Sequence, residues 1–213
     1  MKKHIIRYAS FAFAILGMVS CSEEQETALR PQDAKSTPMT FLVSHPGQAT
    51  RATETSFEQN DRIGLYVADA KAQLEIGGNL VNNEALTYDG SKWAAARTLY
   101  WDKGTYTAYA YYPYMEDVSS ITDQPFSVVL DQSTAKSKEA LGGYEASDLL
   151  FASSKNISAS ASPIPLNFKH IMSKLKIRLI KGEDFEGDMP TTAQVTIHNT
   201  VPTATIDLQA GVA

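Results

Sequence analysis

Short runs in which every second residue is apolar recur along this chain, and they constrain its fold more than any other feature. Successive side chains of a β-strand point to opposite faces, so this alternation predicts strands with one buried face. In residues 171–179, Leu175 and Ile177 share one face, and Lys174 and Lys176 share the other. A helix would scatter those charges around its circumference, whereas a strand separates them. Further predicted strands carry Met39, Phe41 and Val43; Ile63, Leu65 and Val67; Phe126, Val128 and Leu130; Val195 and Ile197; and Ile206 and Leu208.

Helical patterns are weak in this sequence. Beyond residue 20, no apolar stripe of helical period is longer than about ten residues. Residues 135–144 allow either a short helix or a loop. Clusters of Gly, Asn, Asp and Pro separate the alternating runs, as turns separate strands. The sequence therefore predicts an all-β fold, an antiparallel β-sandwich.

Residues 106–114 form an aromatic block. On a strand, Tyr106 and Tyr112 fall on one side, and Tyr109 and Tyr111 fall on the other. Aromatic residues on both sides suit a strand that is covered on both faces. We favour this interpretation because the small residues between the tyrosines make room for their rings. The alternative is a surface on which Tyr109 and Tyr111 contact a glycan or a partner protein.

The first twenty residues have the three parts of a secretory signal peptide. Lys2, Lys3 and Arg7 precede the mostly apolar residues 8–19, and small residues close the segment. Twelve helical residues span only about 18 Å, short of the roughly 30 Å hydrocarbon core of a membrane. We therefore expect residues 1–20 to be a removed signal peptide and not a transmembrane anchor.

The only cysteine, Cys21, follows this segment directly. Residues 18–21, Met-Val-Ser-Cys, resemble a bacterial lipobox, in which the cysteine is acylated before the signal is cut off. The alternative is an ordinary signal peptide that leaves a free thiol. Two acyl chains anchor a protein stably where one is marginal, so a lipidated Cys21 would hold the mature protein on a membrane.

Residues 21–36 are polar and lack periodic apolar positions. Glu23 and Glu24 make the start of this stretch similar to the acidic signal that sends lipoproteins of anaerobic gut and oral Gram-negative bacteria to the outside of the outer membrane. The other interpretation is a solvated, disordered tether, and both can hold together. We expect a tether and a location on the cell surface.

The charge balance excludes several classes of function. The formal net charge is −5, and it becomes −8 when residues 1–20 and their three cations are removed. An acidic chain is a poor partner for nucleic acid or for anionic lipid headgroups, which bind basic patches. Since no cysteine remains apart from Cys21, neither a disulfide framework nor a thiolate metal site is expected.

The sequence contains no pattern typical of catalysis or metal binding. His45, His170 and His198 lie at predicted turns or strand ends and have no partner at metal-ligand spacing. A Gly-rich phosphate loop and a nucleophile elbow are also absent. Asp61 and Asp148 sit beside turns, where carboxylates bond local backbone groups. We therefore predict no enzyme activity, no cofactor and no metal.

Six short motifs follow one another along the chain. They are Thr50-Arg51-Ala52-Thr53 before Phe57, Asp61-Arg62-Ile63-Gly64-Leu65-Tyr66-Val67, residues 106–114, Asp131-Gln132-Ser133, Asp148-Leu149-Leu150-Phe151-Ala152, and Phe168-Lys169-His170-Ile171-Met172-Ser173-Lys174-Leu175. In this order and spacing they resemble the N-terminal domain of fimbrillin-family proteins, the subunits of protease-assembled type V pili and their relatives. The resemblance extends from about residue 38 to the end.

The resemblance implies tandem β-sandwich domains of transthyretin-like, Greek-key topology. It also implies a lipoprotein precursor that an arginine-specific extracellular protease cuts and that then joins other pilus subunits by strand exchange. Arg51, followed by Ala52, lies among small residues of the kind that proteases prefer, and it is the candidate cleavage site. The alternative is that Arg51 is an ordinary surface arginine.

Cleavage after Arg51 would free the first predicted strand, which carries Met39, Phe41 and Val43. Burial of three such side chains is worth roughly 5–9 kcal/mol, so their loss would uncover an apolar groove. A donor strand from the next subunit would then take their place by β-augmentation.

The expected domain division follows from the same resemblance. After the signal peptide and the tether, residues 37–182 are predicted to form the N-terminal β-sandwich domain, and residues 183–213 the incomplete beginning of a second β-domain. In the family the second domain carries the donor segment. A chain that stops at Ala213 is therefore expected not to donate a strand as its relatives do.

Three classes of function follow from these patterns. The resemblance favours a fimbrial subunit or a pilus-associated protein that serves adhesion, anchored in the outer membrane or built into a fimbrium. The aromatic block suggests a surface glycan-binding lipoprotein with a glycan receptor as the alternative. An enzyme or a purely structural lipoprotein is the third class.

Overall fold

The computed structural model describes residues 37–47, 56–137 and 139–213. Cys21, Arg51 and Ala52, with the predicted signal peptide and tether, lie outside these ranges. The chain separates into two units, Met1–Pro31 and Gln32–Ala213, and every described residue belongs to the second. Strands and loops but no helices occur in the described ranges, so nothing there could serve as a membrane-spanning helix, and the predicted all-β class is confirmed.

The described strands follow the chain in order. They are β1 (Phe41–Ser44), β2 (Arg62–Asp69), β3 (Val81–Tyr88), β4 (Trp93–Ala95), β5 (Thr105–Tyr112), β6 (Gln124–Ser127), β7 (Leu150–Ser158), β8 (Ile164–Asn167), β9 (Lys169–His170) and β10 (Thr203–Ile206).

The centre of the fold is an antiparallel sheet with the strand order β4-β3-β2-β5-β7-β9. Its middle strands are β2 and β5, the alternating run around Leu65 and the aromatic block of the sequence. They pair so that Leu65 faces Ala110 and Tyr66 faces Tyr109. Both strands are buried along nearly their whole length, which confirms that the aromatic block is a strand covered on both faces.

The first face of the central sheet is covered by β1 and β8. These two strands pair in parallel, with Phe41 opposite Ile164 and Val43 opposite Leu166, in contrast to the antiparallel pairs of the other two sheets. The core between this pair and the central sheet is the first cluster. Its buried residues are Met39, Ile63, Leu65, Val67, Val81, Leu86, Trp93, Leu99, Trp101, Tyr106, Ala108, Ala110, Tyr112, Leu150, Ala152, Ile164, Leu166 and Phe168.

The opposite face of the central sheet is covered by the antiparallel pair of β6 and β10 and by neighbouring loops. Ile206 and Leu208 are fully buried there, so the end of the chain contributes to the same core as the central sheet. The domain boundary at residue 182 stays a prediction. The second cluster consists of Tyr66, Ala68, Leu74, Tyr109, Tyr111, Ile121, Phe126, Leu149, Phe151, Ile206 and Leu208.

Gly64 in β2 leaves room for the ring of Tyr111 against the central sheet. A Cβ atom at this position would lie 2.3 Å from ring atoms of Tyr111, far inside van der Waals contact. The glycine therefore provides the space in which the Tyr111 ring packs. A side chain here would force the ring out of the second cluster.

The predicted strand over residues 171–179 is wrong. The chain leaves β9 as irregular structure, and Leu175 is 69% exposed and Ile177 49% exposed. Alternation shows that a segment is able to cover an apolar face, but a strand forms only where a sheet edge and such a face are both present. The antiparallel register places His170 opposite Leu150, the first residue of β7, so residues 171–179 run past the end of that strand, and no described strand pairs with them.

Two further local predictions differ from the structure. Val195 and Ile197 lie in irregular structure and are about half exposed, because no described strand pairs with them. The strand around Phe126 ends at Ser127, and Leu130 is 85% exposed. Residues 135–144, for which the sequence allowed a short helix or a loop, form loops and turns wherever they are described.

Candidate strand-exchange groove

The first strand enters a groove whose upstream wall is the extended segment of residues 99–101. The Met39 N–H donates to the Leu99 carbonyl at 2.8 Å, and the Trp101 N–H donates to the Thr37 carbonyl at 3.0 Å. Pro38 and Tyr100 form the antiparallel bridge between these bonds. Residues 37–39, which precede β1, are therefore held by backbone pairing with residues 99–101.

The downstream wall of the groove is β8. The Ile164 N–H donates to the Thr40 carbonyl at 2.8 Å, and the Phe168 N–H donates to the Ser44 carbonyl at 3.0 Å. The Ser44 hydroxyl adds a hydrogen bond of 2.7 Å to Asn167 Oδ1. Residues 37–44 are thus bonded first to one wall and then to the other, as a strand that bridges two edges.

The side chains of β1 alternate between the groove and solvent. Met39 is buried, and Phe41 and Val43 are half-buried against the first cluster, as the sequence predicted. Leu42, between the latter two, is 64% exposed. The groove thus receives every second side chain of the strand, while the displacement of this strand stays a prediction.

Aromatic rings close the downstream end of the groove. Phe57, the first apolar residue after the candidate cleavage segment, meets the imidazole of His45 edge to face, with ring centroids 4.8 Å apart. The same phenyl ring contacts Trp93 at 5.0 Å, Tyr112 at 5.5 Å and Phe168 at 5.6 Å. Residues on either side of the undescribed stretch 48–55 are therefore joined by direct ring packing.

His45 is the polar member of this end. Its Nδ1 accepts a hydrogen bond from the Gly47 N–H at 2.9 Å, and its ring lies 6.1 Å from that of His170. The Nδ1 of His170 is 2.8 Å from Asp148 Oδ1. Burial lowers the pKa of His45, the charge of His170 lowers it further, and the carboxylates of Asp148 and Asp61 oppose the shift only in part.

A partly buried ion pair, in which the Asp61 carboxylate is the buried member, lies beside the aromatic rings. Lys136 Nζ is 2.6 Å from Asp61 Oδ1 and 3.2 Å from a Glu58 carboxylate oxygen, and the Tyr112 hydroxyl donates to Asp61 at 3.4 Å. Burial by itself lowers the pKa of Lys136, but the bonds to Asp61 and Glu58 outweigh it and raise the pKa above its ordinary value. Asp61 also accepts the Glu58 N–H, as its predicted role in a turn requires.

The sequence analysis missed the roles of two of these side chains, Lys136 and Phe57. It placed Asp61 in a turn but gave no partner for its charge, because Lys136 lies 75 residues away in a loop with no periodic pattern. It gave Phe57 only as a motif neighbour. An aromatic residue directly after a polar stretch and before a predicted strand was the one available signal for a packing role of Phe57.

Tyr109 and Tyr111, the candidate glycan contacts, lie in the second cluster. Tyr109 is 9% exposed and Tyr111 is 2% exposed. The Tyr111 hydroxyl donates a hydrogen bond of 2.5 Å to Asn83 Oδ1, and burial raises the pKa of Tyr111. A glycan stacks on an exposed ring face, and neither ring has one, so this arrangement favours the structural interpretation of both residues.

Metal chemistry has no visible basis in the described ranges. No group of three or more His, Cys, Asp or Glu side chains there could hold an ion.

Comparison with known proteins gives a curated relative, solved structures and a family to which this chain is similar. A curated protein of Bacteroides ovatus named "Putative fimbrium tip subunit Fim1C" is 26% identical over 198 residues, which are 84% of this chain and 36% of that protein. The chain therefore spans about a third of this relative's length. The structure of a fimbrial protein from Bacteroides ovatus has a TM-score of 0.45 and 22% identity over 64% of this chain and 29% of that chain.

A second Bacteroides ovatus structure, called a "putative cell adhesion protein", also has a TM-score of 0.45 and 22% identity, over 63% of this chain and 52% of that chain. The sequence model of the family described as fimbrillin-like matches residues 50–213. This match covers most of the chain and confirms the resemblance carried by the six motifs. The chain belongs to the fimbrillin-like family.

Proposed function

We propose that this chain is the precursor of a fimbrial subunit or pilus-associated protein that serves adhesion at the cell surface. A lipid on Cys21 brings it to the outer face of the outer membrane. An arginine-specific protease cuts between Arg51 and Ala52. Residues 37–44 then leave the groove, and a strand of another subunit replaces them. The role is structural and involves no catalysis or cofactor.

The observation that carries this proposal is the bonding of residues 37–44 to two separate walls. Such a strand fills a slot between edges and does not extend a continuous sheet, so its removal leaves the pairing groups of both walls without partners. Unpaired strand edges beside an apolar groove readily accept another strand. Family membership and the fimbrial name of the Bacteroides ovatus relative support the same role.

The energy of the exchange depends on the side chains of this strand. Complete burial of a Met is worth about 1.5–3 kcal/mol, and the half-buried Phe41 and Val43 contribute about half as much each, so the three together contribute roughly 3–6 kcal/mol. The two walls add backbone pairing. An incoming strand must supply similar burial, and it gains further stability if it fills the groove more completely.

Contacts between described residues on either side of the stretch 48–55, which contains Arg51, bear on the cut. The rings of His45 and Phe57 pack edge to face and join the two sides of this stretch. After cleavage, Phe57 stays with the domain, because it packs on Trp93 and Phe168, and His45 leaves with the first strand. After the cut, only non-covalent contacts hold the first strand in the domain, among them the ring contacts of His45 with Phe57 and His170.

The cleavage step is tested on the full chain with an arginine-specific protease. We expect rapid cutting at Arg51 with a new N-terminus at Ala52, and binding of a donor strand from another subunit in place of residues 37–44. Arg51→Gln should abolish both, whereas Arg97→Gln, at an arginine whose side chain is 65% exposed, should abolish neither. Cutting at other Lys or Arg sites at the same rate as at Arg51 would contradict the proposal.

The lipid is tested by mass spectrometry of protein extracted from the cell surface. An acylated Cys21 in the precursor is expected, and Cys21→Ser should remove the acyl mass and the membrane attachment. A mature N-terminus at Ala52 identifies a polymerising subunit, whereas a retained acylated Cys21 identifies an anchor. A precursor that carries an unmodified thiol would contradict lipidation.

A further inference from the structure

His45 joins the end of the first strand to Phe57 and to His170 of β9. It directly follows Ser44, the last residue of β1, and its ring packs on Phe57. Its Nδ1 is the acceptor for the Gly47 N–H, so the turn that leaves the groove depends on a lone pair of this imidazole. A protonated imidazole carries hydrogen on both ring nitrogens and offers no lone pair in either ring orientation.

The charges around His45 come from three neighbouring elements. His170 of β9 is 6.1 Å away between ring centroids, and Asp148 is bonded to His170. Asp61, before β2, is bonded to Lys136. Both carboxylates are therefore already engaged by other cations or donors. Phe57 carries no charge. Arg51 and Glu54 are the charged residues of the stretch 48–55, which lies outside the described residues.

Protonation of His45 consequently has two costs in the closed arrangement. It turns the bond with Gly47 into a contact between two donors, and it places a cation in partly buried surroundings near the ring of His170. Both costs are relieved when residues 44–47 leave the groove, because the imidazole then turns away from the Gly47 N–H into solvent and lies farther from His170. The open arrangement therefore takes up the proton more readily than the closed one.

We propose that His45 is an acid-sensitive latch on the first strand, and that its protonation in mildly acidic solution loosens residues 41–47 from the groove. This regulation rests on the proposed strand exchange and deepens it. The latch keeps the precursor closed at neutral pH and makes the first strand easier to release where the surroundings are acidic.

The direction of the pH effect follows from linkage. The folded state holds the pKa of His45 below 6.5, so it binds this proton more weakly than the opened state does. Opening is therefore favoured as the pH falls through about 6.5, and the gain is complete once the pH is below the folded-state pKa. Each unit of difference between the two pKa values makes opening about tenfold more frequent.

Hydrogen exchange of the full chain, measured by mass spectrometry at about pH 7.5 and about pH 5.5 and corrected for intrinsic exchange rates, tests the latch. We expect the amides of residues 39–47 to lose protection several-fold on acidification, while those of β2 and β5 do not. His45→Asn is the informative variant, because an Asn side chain accepts the N–H two residues on without titrating. In this variant, residues 39–47 should keep their protection at neutral pH and should not lose it in acid.

His198→Asn, at an exposed histidine, is the matched control and should behave as the unmodified chain does. If His45→Asn folds poorly, His45→Gln serves the same purpose. Equal protection of residues 39–47 at both pH values overturns the latch, and so does an unchanged loss in His45→Asn. Because no cleavage is involved, these outcomes are independent of the proposed exchange, which fails instead if chains cut at Arg51 do not bind a donor strand from another subunit.

Discussion

Lys136 Nζ lies 2.6 Å from Asp61 Oδ1, and this pair joins the loop after β6 to the turn before β2 across 75 residues of sequence. Asp61 is 3% exposed, and its carboxylate also accepts the Glu58 N–H. The pair sits beside Tyr112 and thus supports the aromatic rings at the end of the groove. The contribution of this ion pair to stability comes mainly from neutralising the buried Asp61 carboxylate, since Lys136 keeps some contact with solvent.

Lys136→Met should destabilise the fold by about 1–2 kcal/mol, because it leaves the Asp61 carboxylate buried without its cation. Lys155→Met, at an exposed position in β7, is the control and should change the stability little. Urea unfolding of both variants at neutral pH measures the difference. Equal midpoints for the two variants would show that the pair contributes nothing.

Removal of the hydroxyl should affect the stability differently at two buried tyrosines, Tyr66 and Tyr111. The Tyr66 hydroxyl has no hydrogen-bond partner among the described residues, whereas the Tyr111 hydroxyl donates to Asn83 and to the Met115 carbonyl at 3.2 Å. Tyr66→Phe should therefore leave the stability unchanged or raise it by about 1 kcal/mol, and Tyr111→Phe should lower it by about 1–2 kcal/mol. Thermal unfolding of the two variants decides this, and a larger loss for Tyr66→Phe would refute the assignment.

Alkaline pH should unfold the domain through the same buried rings. Burial raises the pKa of Tyr66 to about 12, and it also raises the pKa values of Tyr111 and Tyr112 above 10.0. The folded state thus keeps protons that unfolded tyrosines lose. The stability from these groups is complete below about pH 10 and is lost as the pH rises through that value towards the folded-state pKa values.

A spectroscopic titration checks this expectation. Tyrosinate absorbance from the buried rings should rise together with the loss of circular dichroism, and not before it. Tyr66→Phe should move the alkaline transition to higher pH. Ionisation of all tyrosines in a chain that stays folded would contradict the burial of these rings.

The first strand offers a matched pair of substitutions. Met39 is 6% exposed in the first cluster, and Leu42 is 64% exposed on the opposite side of the strand. Met39→Ala should cost about 2–4 kcal/mol, and Leu42→Ala should stay within about 0.5 kcal/mol. Guanidinium unfolding measures both. A comparable loss from Leu42→Ala would mean that the strand does not present alternate residues to the groove.

The sequence by itself determined what is local. A period of two is a property of neighbouring residues, so the alternation around Leu65 predicted β2, the tyrosine block predicted β5, and Met39, Phe41 and Val43 predicted the side of β1 that meets the core. The small residues between the tyrosines also predicted a strand covered on both faces. These features needed no knowledge of the partner strands.

Only the tertiary structure decided which segments find a partner. Residues 171–179 have the pattern of a strand, yet Leu175 is largely exposed, because they run past the end of β7, the described strand with which β9 pairs. The second cluster decided that Tyr109 and Tyr111 are core residues. Contacts such as Asp61 with Lys136 and His45 with Phe57 arise because the folded chain brings distant turns together, and a local pattern carries no record of that.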